Sequence, residues 1–89
     1  MSAPSARVTV YSRAGCHLCE VALEVVADVC AELGESYLEL DIDDPAQVDP
    51  ELRERWTDEV PVTLVDGRQH DFWRVDPVRL RAALGGGVR

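Results

Sequence analysis

The 89 residues read as one domain spanning 1–89, too short for a second core, and 46% hydrophobic against 29% charged content is that of a folded globule, not a disordered segment. A net charge of −8 repels phosphate backbones and anionic lipid alike, which excludes nucleic acid and membrane surfaces as natural partners and leaves proteins and small thiols. Met1 to Ala6 lacks the apolar core of a signal peptide and no apolar run reaches spanning length, so a cytoplasmic location is expected.

In chain order, residues 7–12 (Arg-Val-Thr-Val-Tyr-Ser) have the β-branched and aromatic content of a strand, which Ala14-Gly15 break. Cys16-His17-Leu18-Cys19 follows. It sets one cysteine just ahead of a helix and one in its first turn, the arrangement by which a dithiol closes and reopens as a disulfide. From Leu18 apolar residues recur at Ala22, Val25, Val26, Val29, Cys30 and Leu33, one face of a helix. Glu20, Glu24, Asp28 and Glu32 take the solvated side and Gly34 the C-terminal cap. Residues 36–42 alternate, with Leu38, Leu40 and Ile42 on one face and Tyr37, Glu39 and Asp41 on the other. This second strand completes a right-handed βαβ unit with parallel strands.

Asp49-Pro50 then caps a short helix running from Pro50 to about Trp56. Pro61 to Val65 reads as a strand, Asp66-Gly67 as a tight hairpin turn, and Arg68 to Phe72 as its antiparallel partner. Asp76-Pro77 repeats the capping device before a last helix, Val78 to Leu84, that stops at Gly85-Gly86-Gly87. The order is β-α-β-α-β-β-α, an α/β chain with residues 1–6 and 85–89 as flexible ends.

Cys16 is the expected nucleophile, because a helix N-terminus favours a thiolate and lowers a cysteine pKa into a range of roughly 3.5 to 7.5. Cys19, one turn inward, is the resolving thiol. Cys30 lies eleven residues beyond Cys19, about 16 Å along a helix axis. That exceeds the Cα separation of about 7 Å that a disulfide tolerates, so it reads as a small core residue. Two other uses of the motif stay open. One is a zinc or iron-sulfur site with His17 adjacent; the chain has no second C-x-x-C, so a dimer would have to supply the remaining thiolates. The other is a redox-inactive adaptor that binds a partner through its acidic surface.

This element order, with C-x-x-C after the first strand and Val60-Pro61 opening the third, resembles the thioredoxin fold. The segment from Tyr11 to Cys19 (Tyr-Ser-Arg-Ala-Gly-Cys-His-Leu-Cys) is similar to the glutaredoxin active site, in which a basic residue precedes the first cysteine by three positions. The resemblance covers about residues 7–84 and runs to the small glutaredoxin-like proteins of bacteria. It implies a thioredoxin-like four-stranded mixed sheet flanked by helices, and a thiol-disulfide oxidoreductase working through Cys16 and Cys19 without a metal or resident cofactor. It further implies substrate contacts from Arg13, His17, Leu18, Val60 and Pro61. In such proteins the proline is cis and faces the dithiol, and the residue before it pairs with an extended substrate.

Arg13 either pairs with the Cys16 thiolate or a substrate carboxylate, or is a solvated loop residue; His17 either adds positive charge beside the thiolate or is simply exposed. Trp56 and Trp73 either flank the groove or fill the core. The chain carries His-Leu between the cysteines where glutaredoxins have Pro-Tyr, and Glu59 where they commonly carry threonine. Asp71-Phe72-Trp73-Arg74-Val75-Asp76 replaces the Gly-Gly motif that helps hold glutathione. Glutathione is therefore in question as reductant, and a cycle driven by thioredoxin reductase is the open alternative. The expected partners are a disulfide-bearing protein or a low-molecular-weight thiol, met by a monomer.

Overall fold

A computed structural model describes residues 6–86. Its strands are β1 (Val8–Ser12), β2 (Tyr37–Asp41), β3 (Val62–Val65) and β4 (Arg68–Phe72), and its helices are α1 (His17–Leu33), α2 (Pro50–Trp56) and α3 (Pro77–Arg81). A π-helical turn, Ala82–Gly86, follows α3. The strands form one mixed sheet in the order β2-β1-β3-β4, with β1 parallel to β2 and the other pairs antiparallel.

Helices cover both faces. On one, Val8, Val10 and Val65 of the sheet pack against Ala22, Val26, Val29 and Cys30 of α1 and against Val75, Leu80 and Leu84 around α3. On the other, Ile42, Val48, Trp56 and Val62 close a second core with Tyr11, Leu40, Leu52 and Leu64. Each fully buried valine contributes about 1.5–3 kcal/mol, so these two layers outweigh every surface interaction described below.

Local chemistry sets the element ends. Asp49 accepts a hydrogen bond from the N–H of Glu51 at 2.8 Å, and Asp76 accepts from Val78 and Arg79 at 2.9 and 3.4 Å, so both Asp-Pro pairs cap as predicted. Gly34 ends α1 in the left-handed conformation. Asp66 and Gly67 both have positive φ, 54° and 82°. That is the two-residue hairpin turn whose twist matches its strands and which Asp-Gly favours.

Arg7, just before β1, joins three distant places. Its guanidinium donates to both carboxylate oxygens of Asp66 in the hairpin turn (2.9 Å each), to Glu35 after α1 (3.1 Å) and to the carbonyl of Leu84 (3.0 Å).

Three expectations need correction. The alternation puts Leu38 on one face with Leu40 and Ile42, but Leu38 is 49% exposed. β2 is an edge strand, and only Leu40 and Ile42, at its end, reach the core under α2. Leu18 was placed on the apolar face of α1, yet Cys19 turns inward and Leu18 is 39% exposed. The last helix keeps α geometry only as far as Arg81, and Gly85, at φ 98°, breaks the following turn. The expected flexible ends, residues 1–6 and 85–89, fall largely outside the described residues. Among those, no helix is long and apolar enough to cross a membrane.

Candidate active site

The register gathers the site at one end of the sheet. Tyr11, near the end of β1, lies opposite Val62, and Val62 lies opposite Phe72 at the end of β4. The loop after β1, the Val60-Pro61 segment before β3 and the turn after β4 are therefore neighbours.

Gly15, at φ 74°, turns the chain into α1. A Cβ at this position would meet nothing within 4 Å, so the backbone conformation and not space calls for glycine. Cys16 is the N-cap of α1, and its sulfur accepts a hydrogen bond from the backbone N–H of Cys19 at 3.2 Å. Cys16 and Cys19 are joined as a disulfide, with Cα atoms 5.2 Å apart. Their surroundings differ. Cys16 is half-buried, whereas Cys19 is 1% exposed. Cys30 is a free thiol in the core between sheet and α1, and burial, aided by the negative charge of Glu35, pushes its pKa up.

Arg13 is engaged away from the dithiol. Its Nε and Nη2 donate to the two carboxylate oxygens of Asp43 at 2.7 and 3.1 Å, and its Nη1 and Nη2 donate to the carbonyl and hydroxyl of Thr57 at 3.0 and 2.6 Å. Asp43 also accepts from Arg53 at 2.9 Å. The guanidinium beside it holds the Asp43 carboxyl below the usual carboxylate range, helped by Arg53. Four of the five N–H bonds a guanidinium offers are thus used, two tying the active-site loop to Asp43 just after β2 and two to Thr57 at the end of α2. His17 is 86% exposed and 3.9 Å from Glu20, and Leu18 beside it is also on the surface.

The Val60-Pro61 bond is cis. Pro61 is buried, Val60 half-buried, and the carbonyl of Pro61 accepts the backbone N–H of Trp73 at 2.8 Å. The two tryptophans part company. Trp56 is core, its ring 5.0 Å from that of Tyr11. Trp73 is 51% exposed on a groove lined by residues 71–76, edge-on to the half-exposed ring of Phe72 at 5.1 Å.

Trp73 also has φ 65°, a conformation that bulky residues avoid. Such strain costs of order 1–3 kcal/mol. The bonds that hold it, N–H to Pro61 and indole Nε1 to the carbonyl of Asp58 at 3.0 Å, return about 0.5–1.5 kcal/mol each. The balance is near zero. Sequence reasoning had no signal for this backbone, since nothing local distinguishes a left-handed tryptophan. Among the described residues no group of three or more His, Cys, Asp or Glu side chains is disposed to hold a metal ion.

A cysteine pair at disulfide distance at the start of a helix, with a cis-proline at the same end of a β2-β1-β3-β4 sheet, defines a thioredoxin-like protein of the glutaredoxin type. The chain belongs to the glutaredoxin-like domain family (DUF836), which matches residues 7–85. It is 42% identical over 85 residues to the uncharacterized proteins Rv0508 of Mycobacterium tuberculosis and Mb0520 of Mycobacterium bovis, covering 94% of this chain and 86% of each relative. Among solved structures, the structural-genomics target protein XcR50 from X. campestris superposes with a TM-score of 0.68 at 34% identity, over 90% of this chain and 97% of that one. Holo glutaredoxin C1 from Populus tremula x tremuloides is more distant, with a TM-score of 0.48 and 20% identity over 92% of this chain and 77% of that one.

Proposed function

We propose that the chain is a thiol-disulfide oxidoreductase that reduces disulfides of proteins or small molecules through Cys16 and Cys19. The observation that carries this is the asymmetry of the pair: Cys16, half-buried, caps α1, and Cys19, in the first turn, is buried. Backbone N–H groups at a helix start favour negative charge, so the reduced Cys16 is the thiolate and the attacking group.

In the first step the Cys16 thiolate attacks one sulfur of the substrate disulfide. The Cys16–substrate bond forms, the substrate S–S bond breaks, and the leaving thiolate takes a proton from solvent. Cys19 then gives up its proton and attacks Cys16 Sγ, forming the Cys16–Cys19 disulfide and releasing the second substrate thiolate. Two electrons pass from the protein dithiol to the substrate. An external thiol, or a dithiol reductase such as thioredoxin reductase, returns them. Glutathione is the weaker choice, because Arg13 is spent on Asp43 and Thr57 and the Gly-Gly motif is replaced. In this reading Val60, Pro61, His17 and Leu18 contact the substrate, and Cys16 and Cys19 exchange with it. The protein works as a monomer in a reducing compartment such as the cytoplasm, without a resident cofactor.

The test is a redox titration against thiol-disulfide buffers, with the state of both cysteines read by alkylation and mass, alongside turnover by Cys16→Ser and Cys19→Ser. A reversible two-electron transition, loss of turnover in Cys16→Ser and a trapped mixed disulfide in Cys19→Ser are expected. Activity that survives loss of Cys16 refutes the proposal.

A further inference from the structure

Trp73 sits in a backbone conformation that glycine would take freely, and its ring is half in water. The indole is nevertheless fixed at both ends: the backbone N–H binds Pro61 and the ring Nε1 binds the carbonyl of Asp58. Phe72 backs it edge-on. Two of the five aromatic residues in the chain are therefore held on the surface, beside the cis-proline and at the dithiol end of the sheet. Among the described residues the backbone N–H and carbonyl of Val60 have no backbone partner, so both stand unpaired in the segment next to this platform.

The charges around the platform have a sign. Asp58 is exposed and Glu59 half-exposed, and neither pairs with an arginine among the described residues. Asp71 is paired with Arg79 at 2.7 Å, and Asp76 caps α3. Among the described residues Arg74 is the groove cation without a carboxylate partner, and Arg13, the other candidate, is already held by Asp43. Such a rim opposes a disulfide of net negative charge, as glutathione disulfide is, and attracts a cationic one.

We propose that Trp73 is the specificity-determining residue of this site, and that its substrate is a disulfide in an extended polypeptide segment. That segment lays an apolar side chain on the Trp73–Phe72 platform and sets a basic residue against Asp58 and Glu59. This rests on the oxidoreductase reading above and names its substrate class. Tryptophan is suited to the task, offering a large rigid face at little entropic cost.

The experiment compares two disulfides: a short peptide disulfide with leucine and arginine beside its cysteines, and glutathione disulfide. The wild-type chain is expected to prefer the peptide in kcat/KM, and Trp73→Gly, which suits the local backbone, to lower that preference about tenfold. Asp58→Asn with Glu59→Gln lowers it too, as does raising the salt. A preference for glutathione disulfide, or one untouched by Trp73→Gly, overturns the proposal while leaving the oxidoreductase reading intact. If neither disulfide turns over, that reading fails, and the surface is judged by itself. The same peptide with serine for cysteine, carrying a fluorescent label, is then expected to bind wild type and to bind Trp73→Gly about tenfold more weakly by anisotropy. Absence of binding to wild type overturns the surface.

Discussion

The sulfur of Cys16 accepts the backbone N–H of Cys19 at 3.2 Å, so the first cysteine caps the helix in which the second is buried. The order in which the thiols react follows from this. In the reduced folded protein, limiting iodoacetamide is expected to modify Cys16 first. Cys30, at 1% exposure and with its thiol pushed up by burial, is expected to react only after unfolding in urea. Mass spectrometry of the alkylated peptides reads this directly; early labelling of Cys30 in the native protein would contradict it.

Arg13 offers a second test, because its hydrogen bonds go to Asp43 and Thr57 and not to the dithiol. Arg13→Ala is expected to lower stability by about 1–2 kcal/mol, as charged hydrogen bonds to a partly exposed group do. Lysine, lacking the fork, should not restore it. The Cys16 thiolate titration, followed by ultraviolet absorbance, is expected to stay put. A rise of about one unit in Arg13→Ala would give the guanidinium a direct role at the sulfur.

Acid should act through two carboxylates. Asp43 is held below its ordinary 3.8 chiefly by its hydrogen bond from Arg13, and Asp66 by the one from Arg7. A depressed folded-state pKa contributes stability that is complete above the unfolded value of 3.8 and disappears as pH falls through the lower folded value. Urea midpoints of wild type and of Asp43→Asn with Asp66→Asn are therefore expected to differ at pH 7 and to converge below about pH 4. A gap that persists at the lowest pH would show that neither carboxylate is coupled to folding in this way.

Trp56 carries much of the core under α2, its ring tilted against that of Tyr11 and 7% exposed. Trp56→Ala is expected to cost about 3–5 kcal/mol, a large share of what so small a domain possesses. Denaturant unfolding measures it. A loss under about 1 kcal/mol would mean the ring is not packed as described.

What was legible beforehand was what neighbours in sequence decide. The spacing of Cys16 and Cys19, the apolar period of α1, the two Asp-Pro caps and the Asp66-Gly67 turn each depend on residues within a turn or two, and each appears where predicted. The cis bond at Pro61 was expected from resemblance alone. The exposure of Leu38 was not legible, because an edge strand is defined by the absence of a neighbour. Nor was the engagement of Arg13, whose partner Asp43 is 30 positions away. Two solvated charges leave no pattern in a sequence. Trp73 was noticed as a residue, but its left-handed backbone depends on carbonyls from a different loop.

Arg7 bonds the carbonyl of Leu84 at 3.0 Å, which brings the two ends of the described segment side by side. β1 carries the chain from there to the dithiol loop, a span of about 17 Å for five residues of strand. A tether at that pole would thus leave the cysteines facing outward. The chain suits oriented immobilisation on an electrode, or circular permutation with a short bridge across the Arg7 pole, without a linker crossing the groove.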